Sequence, residues 1–261
     1  MTSQQISIKA IRQIEKQIRL SSIKFICKNI LKKTMRQTKH VREWYHRPMD
    51  HDRIMEIPLT ALLLDAKQND KILDISSPKL LALYYALNGY NHVVAADLEE
   101  YFIKDFNTFN KEANLKINTS VFDASKEIPF PNATFDKIFS ISVLEHIPDN
   151  GDKLALQEML RVLKPSGSIV ITLPVYKQHI EEWITDKDYW QTIENEEGKF
   201  FFQRRYDRES FFSIFENLDC DIDNVTLIAE KPIKSPEIQN TGKLFHNSMY
   251  LMQTPIYRIA G

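Results

Sequence analysis

The order of apolar segments predicts a doubly wound α/β fold: a mostly parallel, seven-stranded sheet behind an N-terminal helical extension. Three observations carry this. From about residue 70 to 175, short and nearly continuous apolar runs alternate with stretches whose apolar residues recur at helical spacing, the pattern of a sheet covered on both faces. Several of those runs end in a polar residue. Two late apolar runs are joined by a link through Pro232, Pro236 and Gly242, which suggests an antiparallel edge.

Composition bounds the rest. The chain has 261 residues, 43% hydrophobic and 26% charged, with a net charge of −1, enough for one large α/β domain with additions. Cys27 and Cys220 stand far apart without metal-ligand spacing, which argues against a disulfide framework or a zinc site and for a reducing compartment. No apolar run approaches the roughly 20 residues of a membrane span, and the start lacks the apolar core of a secretory signal. The expectation is a soluble, cytoplasmic protein. Charge divides the chain: Met1 to Asp50 holds twelve lysines and arginines against three acids, a net +9, which leaves −10 for the remainder. That shift separates a basic extension, residues 1–55, from a main domain, residues 56–261.

Residues 6–36 read as an amphipathic helix, with Ile11, Ile14, Ile18, Phe25 or Ile26, and Ile30 on one face and basic residues on the others. Such a stripe packs on the following domain, or it lets a basic helix touch anionic lipid at the membrane periphery. An Arg-rich, acid-poor start also suits an organelle transit peptide, though nothing marks a cleavage point. The segment Trp44 to Arg53 is dense in rings and titratable groups and suits a pocket wall or a surface loop. His46 and His51, with Asp50 and Asp52 nearby, invite a metal, but no further ligand cluster matches them, and none is assigned.

Leu59 to Leu64 is helical and Lys71 to Ile75 is the first strand. Leu80 to Leu87 is a helix closed by Asn88-Gly89, and His92 to Ala96 is a second strand with Asp97 at its tip. Glu99 to Ala113 is helical, with Phe102, Phe106 and Phe109 expected in the core. Ile117 to Phe122 and Phe135 to Ile141 are strands three and four. A helix lies between Asp149 and Leu163, with Asp149 or Asn150 as its cap. Lys164 to Gly167 is a turn and Ser168 to Leu173 the fifth strand. Residues 176–205, rich in rings and charge, break the pattern and read as an irregular lid. Tyr206 to Leu218 is helical, and strands six and seven are Asp221 to Ala229 and Met249 to Arg258.

Ligands of open α/β sheets bind beyond the carboxyl ends of the strands. There the sequence places Asp74, Asp97, Asp123, and Ser140 with Ser142. Asp97 follows Asp74 by 23 positions, near the spacing at which an acid reaches a ribose diol, and a carboxylate can accept from both hydroxyls. Asp123 would accept from an exocyclic amine while Val121 or Phe122 flanks the ring. His146 is the candidate general base, with an ordinary pKa near 6.5, or else it shapes the loop after strand four. His179 is a second candidate base. Arg204-Arg205-Tyr206 would clamp an anionic acceptor or form internal ion pairs.

With these residues in view, the chain resembles the class I S-adenosylmethionine-dependent methyltransferases, in particular the methyltransferase type 11 domain. Ile72-Leu73-Asp74-Ile75, Ala95-Ala96-Asp97, the run Phe122 to Asp136, Val143-Leu144-Glu145-His146-Ile147 and the run Glu158 to Gly167 carry the resemblance, over about residues 70 to 175. It implies a Rossmann-like methyltransferase fold and S-adenosyl-L-methionine as cofactor. The loop Ile75 to Lys79, with Ser76 and Ser77 beside Asp74, would face the methionine part. Asp97 would take the ribose, Asp123 and Phe122 the adenine, and Ser140 to Val143 would border the sulfonium and the acceptor. The family's first motif is Asp-x-Gly-x-Gly-x-Gly, whereas this chain has Ser76-Ser77-Pro78-Lys79 after Ile75 and no glycine.

The function expected is methyl transfer to a small-molecule, glycan or lipid-linked acceptor. Nucleic acid is disfavoured because the main domain is acidic. A non-catalytic, partner-binding scaffold on the same fold and a dinucleotide-dependent oxidoreductase are the alternatives, and the glycine-free loop counts against the second.

Overall fold

A computed structural model describes residues 6–46, 49, 53–186, 191, 193–228 and 254–260. The extension folds as three helices, α1 (Ile8–Asn29), α2 (Lys33–Gln37) and α3 (Lys39–His46). Ser7 caps α1 by accepting from the Ala10 amide at 3.2 Å. The isoleucine stripe is turned inward: Ile11, Ile18, Phe25 and Ile26 are buried in one cluster with the main domain, and Ile14 and Ile30 pack against it. Lys9, Arg12, Lys16, Lys24 and Lys28 stay exposed. A partly buried pair fixes α3, since Asp105 Oδ2 accepts from the His40 amide and bonds His40 Nδ1, each at 2.9 Å. Burial pushes the Asp105 carboxyl up, but these bonds outweigh it and hold the group below its ordinary value.

Helix α4 (Arg53–Leu64) leads into β1 (Ile72–Ile75), which is buried along its whole length. Helix α5 (Leu80–Leu87) and β2 (Val93–Asp97) follow, then α6 (Glu100–Ala113) and β3 (Ile117–Val121). Next come β4 (Phe135–Ile141), a 3₁₀ turn at Leu144–His146, α7 (Gly151–Val162) and β5 (Leu163–Thr172). A hairpin of β6 (Ile180–Ile184) and β7 (Phe200–Arg205) precedes α8 (Arg208–Ser213), β8 (Asp221–Ile228) and β9 (Thr254–Ala260).

The sheet has seven strands in the order β3-β2-β1-β4-β5-β9-β8. The first five are parallel, and β9 runs antiparallel to both β5 and β8. Strand residues alternate between two cores. Ile72, Val93, Ile117 and Phe139 face the layer of α1, α4, α5 and α6, whereas Leu73, Ala96, Ile138 and Ile169 face α7 and α8. Burial on both faces explains the mostly apolar runs of β1, β2 and the second half of β4, whereas the edge strand β3 is partly exposed.

Several local expectations change. The turn at Lys164–Gly167 lies inside β5: Leu163 pairs with Phe135 and the pairing resumes at Ser168 with Lys137, so the four residues are an excursion within a strand. Gly167 is required there, because a Cβ would meet Leu163 Cδ1 at 2.6 Å and the Asp136 carbonyl at 2.9 Å. The 176–205 segment is not irregular, for it holds the β6–β7 hairpin, whose Trp183 and Phe201 rings meet edge to face at 5.5 Å. The helix expected over 206–218 is only α8, begun by an Asp207 capping box and followed by Asn217 in a left-handed conformation, φ 66°. The expected seventh strand begins at Thr254, and residues 249–253 of the expectation lie outside the described residues.

Candidate functional site

The site forms where the order of the sheet reverses, at the carboxyl ends of β1 and β4, because adjacent connections diverge there to opposite faces. A cavity of about 810 Å³ opens over β2, β3 and β4, with Ser76, Asp97, Phe102, Phe122, Asp123 and His146 among its lining residues. A second, of about 720 Å³, lies between the β1–α5 loop and α3 and α4, and Trp44, Arg53, Ser77 and Lys79 line it. Ser76, Asp97, Phe102 and Ser142 belong to both walls, so the two spaces meet at the tips of β1, β2 and β4. Either volume falls in the range of small-molecule sites.

Without glycine, the β1–α5 loop keeps a glycine-like backbone. Ser76 sits at φ 52°, in the left-handed region that favours glycine. Ser77 ties the loop down: its amide donates to Asp74 Oδ1 at 3.1 Å, and its Oγ donates to the Ile75 carbonyl at 3.3 Å. That Oγ also accepts from the Ile141 amide of β4 at 2.8 Å. Lys79 folds back beneath the loop, and its Nζ lies 2.8 Å from Asp97 Oδ2.

The candidate site residues separate into two groups. Ser76, Asp97, Phe122, Asp123 and His146 line the larger cavity, and Ser77 the second. Asp74 and Ser140 line neither and are wholly buried. Ser140 Oγ donates to the Ile75 carbonyl at 3.1 Å, so it braces β1 against β4, and Ser142 is the strand-four serine that reaches the cavities. Asp74 holds the loop through Ser77; burial pushes its carboxyl up to about 7, with Lys79 pulling the other way.

Asp123 Oδ1 accepts from the Ser125 amide at 3.0 Å and from Ser125 Oγ at 2.6 Å. Burial raises this carboxyl, but the Ser125 and Lys126 contacts outweigh it and keep it low and ionised. His146 Nδ1 lies 2.7 Å from the Phe202 carbonyl. A carbonyl only accepts, so Nδ1 carries the proton and Nε2 is the basic nitrogen of the neutral ring. Burial lowers the imidazole below its ordinary value, the Phe202 bond opposing.

Other candidates fall elsewhere. His179 is exposed and its amide donates to Asp207; it lines neither cavity. Arg204 is buried, pairs with Asp152 at 3.0 Å and donates to the Asp149 carbonyl. Arg205 pairs with Glu182 at 2.7 Å, and Tyr206 donates to Asp152 at 2.8 Å. Arg204 and Tyr206 thus tie the hairpin to α7 and Arg205 ties its two strands together, rather than forming an anion clamp. Phe102, expected in the core, instead walls both cavities, because it lies one residue before the buried Ile103 on α6 and so points off the packed face. Of the histidines and acids weighed as metal ligands, residues 50–52 lie outside the described residues, and among the described residues no group of three or more potential ligands gathers.

A parallel five-stranded core, an added antiparallel pair that reverses the last strand, and acids at the tips of β2 and β3 over one cavity define the class I S-adenosylmethionine-dependent methyltransferase fold. Residues 73–171, less than half of the chain, match the methyltransferase domain family. A curated relative, the ubiquinone/menaquinone biosynthesis C-methyltransferase UbiE of Proteus mirabilis, is 31% identical over 109 residues, 40% of this chain and 43% of the relative. The chain therefore matches less than half the length of that relative.

Among solved structures, the 1,6-didemethyltoxoflavin-N1-methyltransferase of Burkholderia thailandensis, with its substrate and S-adenosylhomocysteine bound, superposes with a TM-score of 0.55. It shares 10% identity over 98% of this chain and 92% of its own. An S-adenosylmethionine-dependent methyltransferase from Mesorhizobium loti gives 0.53 at 14% identity over 78% and 96%. The [4+2]-cyclase SpnF gives 0.57 at 15% identity over 80% of each chain. At such identities the likeness is one of fold.

Proposed function

We propose that the protein transfers a methyl group from S-adenosylmethionine to a small-molecule acceptor. The observation that carries this is the placing of two carboxylates, Asp97 and Asp123, in one cavity that meets a second cavity at Ser76 and Ser142. The fit to the cofactor is chemical. Asp97 is set to accept from a ribose diol, and Asp123 and Phe122 are set to receive an adenine amine and ring. The left-handed Ser76 lets the backbone approach the methionine part closely.

Bound there, the cofactor would supply an electrophilic methyl on a sulfonium sulfur. The chain's part is to align the acceptor atom with it, and positioning alone can account for most of the rate. Ser142 and Phe102 stand where the two spaces join, which suits a role at the meeting point of donor and acceptor. For a protonated acceptor, His146 Nε2 takes the proton as the new bond forms.

Trp44 and Phe102 wall the second cavity with rings, which favours a planar acceptor over a glycan. The named activities of the two relatives above, a quinone-pathway C-methylation and an N-methylation, are compatible with such a ligand. Peripheral contact with anionic lipid through the exposed basic side of α1, tested by co-sedimentation with anionic vesicles at low salt, is an accessory part of the proposal; its apolar stripe is already committed to the domain.

Titration calorimetry with S-adenosylhomocysteine and, separately, a nicotinamide dinucleotide tests the reading. Binding of the first alone is expected, with Asp97→Ala weakening it about 10- to 100-fold, the range of a lost hydrogen-bonding carboxylate. No binding of either would favour the scaffold, and binding of the dinucleotide alone the oxidoreductase.

A further inference from the structure

Lys79 is buried, 4% exposed, and among the described residues no other lysine is. An ammonium this deep is costly unless it is paired. Its Nζ lies 2.8 Å from Asp97 Oδ2 and donates to the Ala96 carbonyl at 3.3 Å. Asp97 is itself 6% exposed, and Asp74, on the neighbouring strand β1, is 0% exposed. The lysine is therefore the cation that lets two buried acids stand on adjacent strand tips. Asp74 Oδ2 has no hydrogen-bond partner, so Lys79 reaches Asp74 only through space, whereas it touches Asp97 directly.

Counting lone pairs shows what the contact does. An ionised carboxylate has about four acceptor directions, two on each oxygen. The Leu98 amide takes one on Oδ1 at 2.9 Å, and Lys79 takes one on Oδ2. One direction is left on each oxygen, on a carboxylate that lines both cavities. That is the pair a vicinal diol needs.

We propose that Lys79 is the positioning residue for the ribose carboxylate: its ammonium fixes Oδ2 so that the two remaining lone pairs face the diol. The serines and Lys79 together replace the glycine-rich loop as the element that sets cofactor geometry. Ser76 keeps the backbone conformation, Ser77 anchors the loop to β4, and Lys79 anchors β2 to the loop. This inference rests on the reading of the cavity as a cofactor site.

The test is a double-mutant cycle read by calorimetry with S-adenosylhomocysteine, using the full chain and the variants Lys79→Met, Lys79→Arg, Asp97→Asn and the Lys79→Met/Asp97→Asn pair. Lys79→Met is expected to weaken binding by about tenfold or more and Lys79→Arg to restore it to within about threefold, since charge-assisted bonds are the strong ones. In the Asp97→Asn background, Lys79→Met is expected to cost nothing further, because coupled residues are not additive. A general packing loss would instead add in both backgrounds. Should Lys79→Met alone fail to fold, comparing Asp97→Asn with the double variant still decides, because neither contains a buried Asp97 carboxylate stripped of its cation. Wild-type-like or tighter binding by Lys79→Met, or a further loss in the double variant, would overturn the inference while leaving the function standing. Failure of the wild-type chain to bind S-adenosylhomocysteine would overturn both.

Discussion

The imidazole of His146 is pinned to the β6–β7 hairpin through Nδ1, 2.7 Å from the carbonyl oxygen of Phe202, and its ring meets the Phe202 ring edge on at 5.2 Å. The candidate base and the segment covering it are thus one unit. His146→Gln keeps a donor for the Phe202 carbonyl but has no basic nitrogen. With a protonated acceptor, kcat is expected to fall about 10²- to 10⁴-fold with little change in melting temperature, measured by steady-state rates and thermal unfolding. An unchanged kcat would reduce His146 to a brace for the hairpin.

The same ring sets an acid limit. Burial holds its pKa below the ordinary 6.5, so the neutral, basic form persists as pH falls. The acidic limb of kcat/KM is expected below pH 6.5 and should disappear in His146→Gln. The folded state also binds its proton less readily than the unfolded chain, so this group's contribution to stability declines as pH drops below about 6.5.

Glu145 behaves in the opposite sense. It is 2% exposed, and burial, helped by the nearby Glu56, raises its carboxyl to about 8 from 4.5. The native state holds a proton that the unfolded chain releases. Its stabilisation is complete below pH 4.5 and is lost as pH rises through about 8. Glu145→Gln is neutral at every pH, so its melting temperature should gain on wild type between pH 5 and pH 9. An equal offset at both values would refute the protonated assignment.

Gly151 opens α7 on the wall of the larger cavity, and a Cβ there would overlap Ile147 Cγ2. Gly151→Ala must push Ile147 aside, at about 1–3 kcal/mol. Chemical denaturation should register that loss, and calorimetry should show weaker S-adenosylhomocysteine binding.

Arg204, buried at 4% exposure, pairs with Asp152 at 3.0 Å while Asp152 also accepts from Tyr206. Arg204→Met removes the cation and leaves a buried carboxylate, a change that costs about 3–5 kcal/mol. The paired variant Arg204→Met/Asp152→Asn should recover much of it in urea unfolding, whereas purely additive losses would argue against a coupled pair.

Much of the sheet was legible because Ile72 to Ile75, Val93 to Ala96 and Ile138 to Ile141 are packed on both faces, so their runs are mostly apolar. The hairpin was not. Ile180 and Glu181 are exposed, and the two strands are joined by a long connection rather than the two-residue turn that marks a hairpin in sequence. At the site, Asp97 and Asp123 were legible from their spacing and strand-end positions. The burial of Ser140, the place of Phe102 on the cavity walls and the partner of Lys79 depend on which way side chains turn in three dimensions. Nothing in Ser76-Ser77-Pro78-Lys79 announces that its lysine folds back under the loop to meet an acid eighteen positions later.

The second cavity has walls of different origin. One is built from the loops at the ends of β1, β2 and β4, inside the span that matches the methyltransferase domain family. The other comes from α3 and α4, through Trp44, Met49 and Arg53, and lies outside it. The two walls are joined where Ser142 Oγ donates to Glu56 Oε1 of α4 at 2.9 Å, so under the proposed function a change of acceptor preference made through α3 and α4 also reaches the tip of β4.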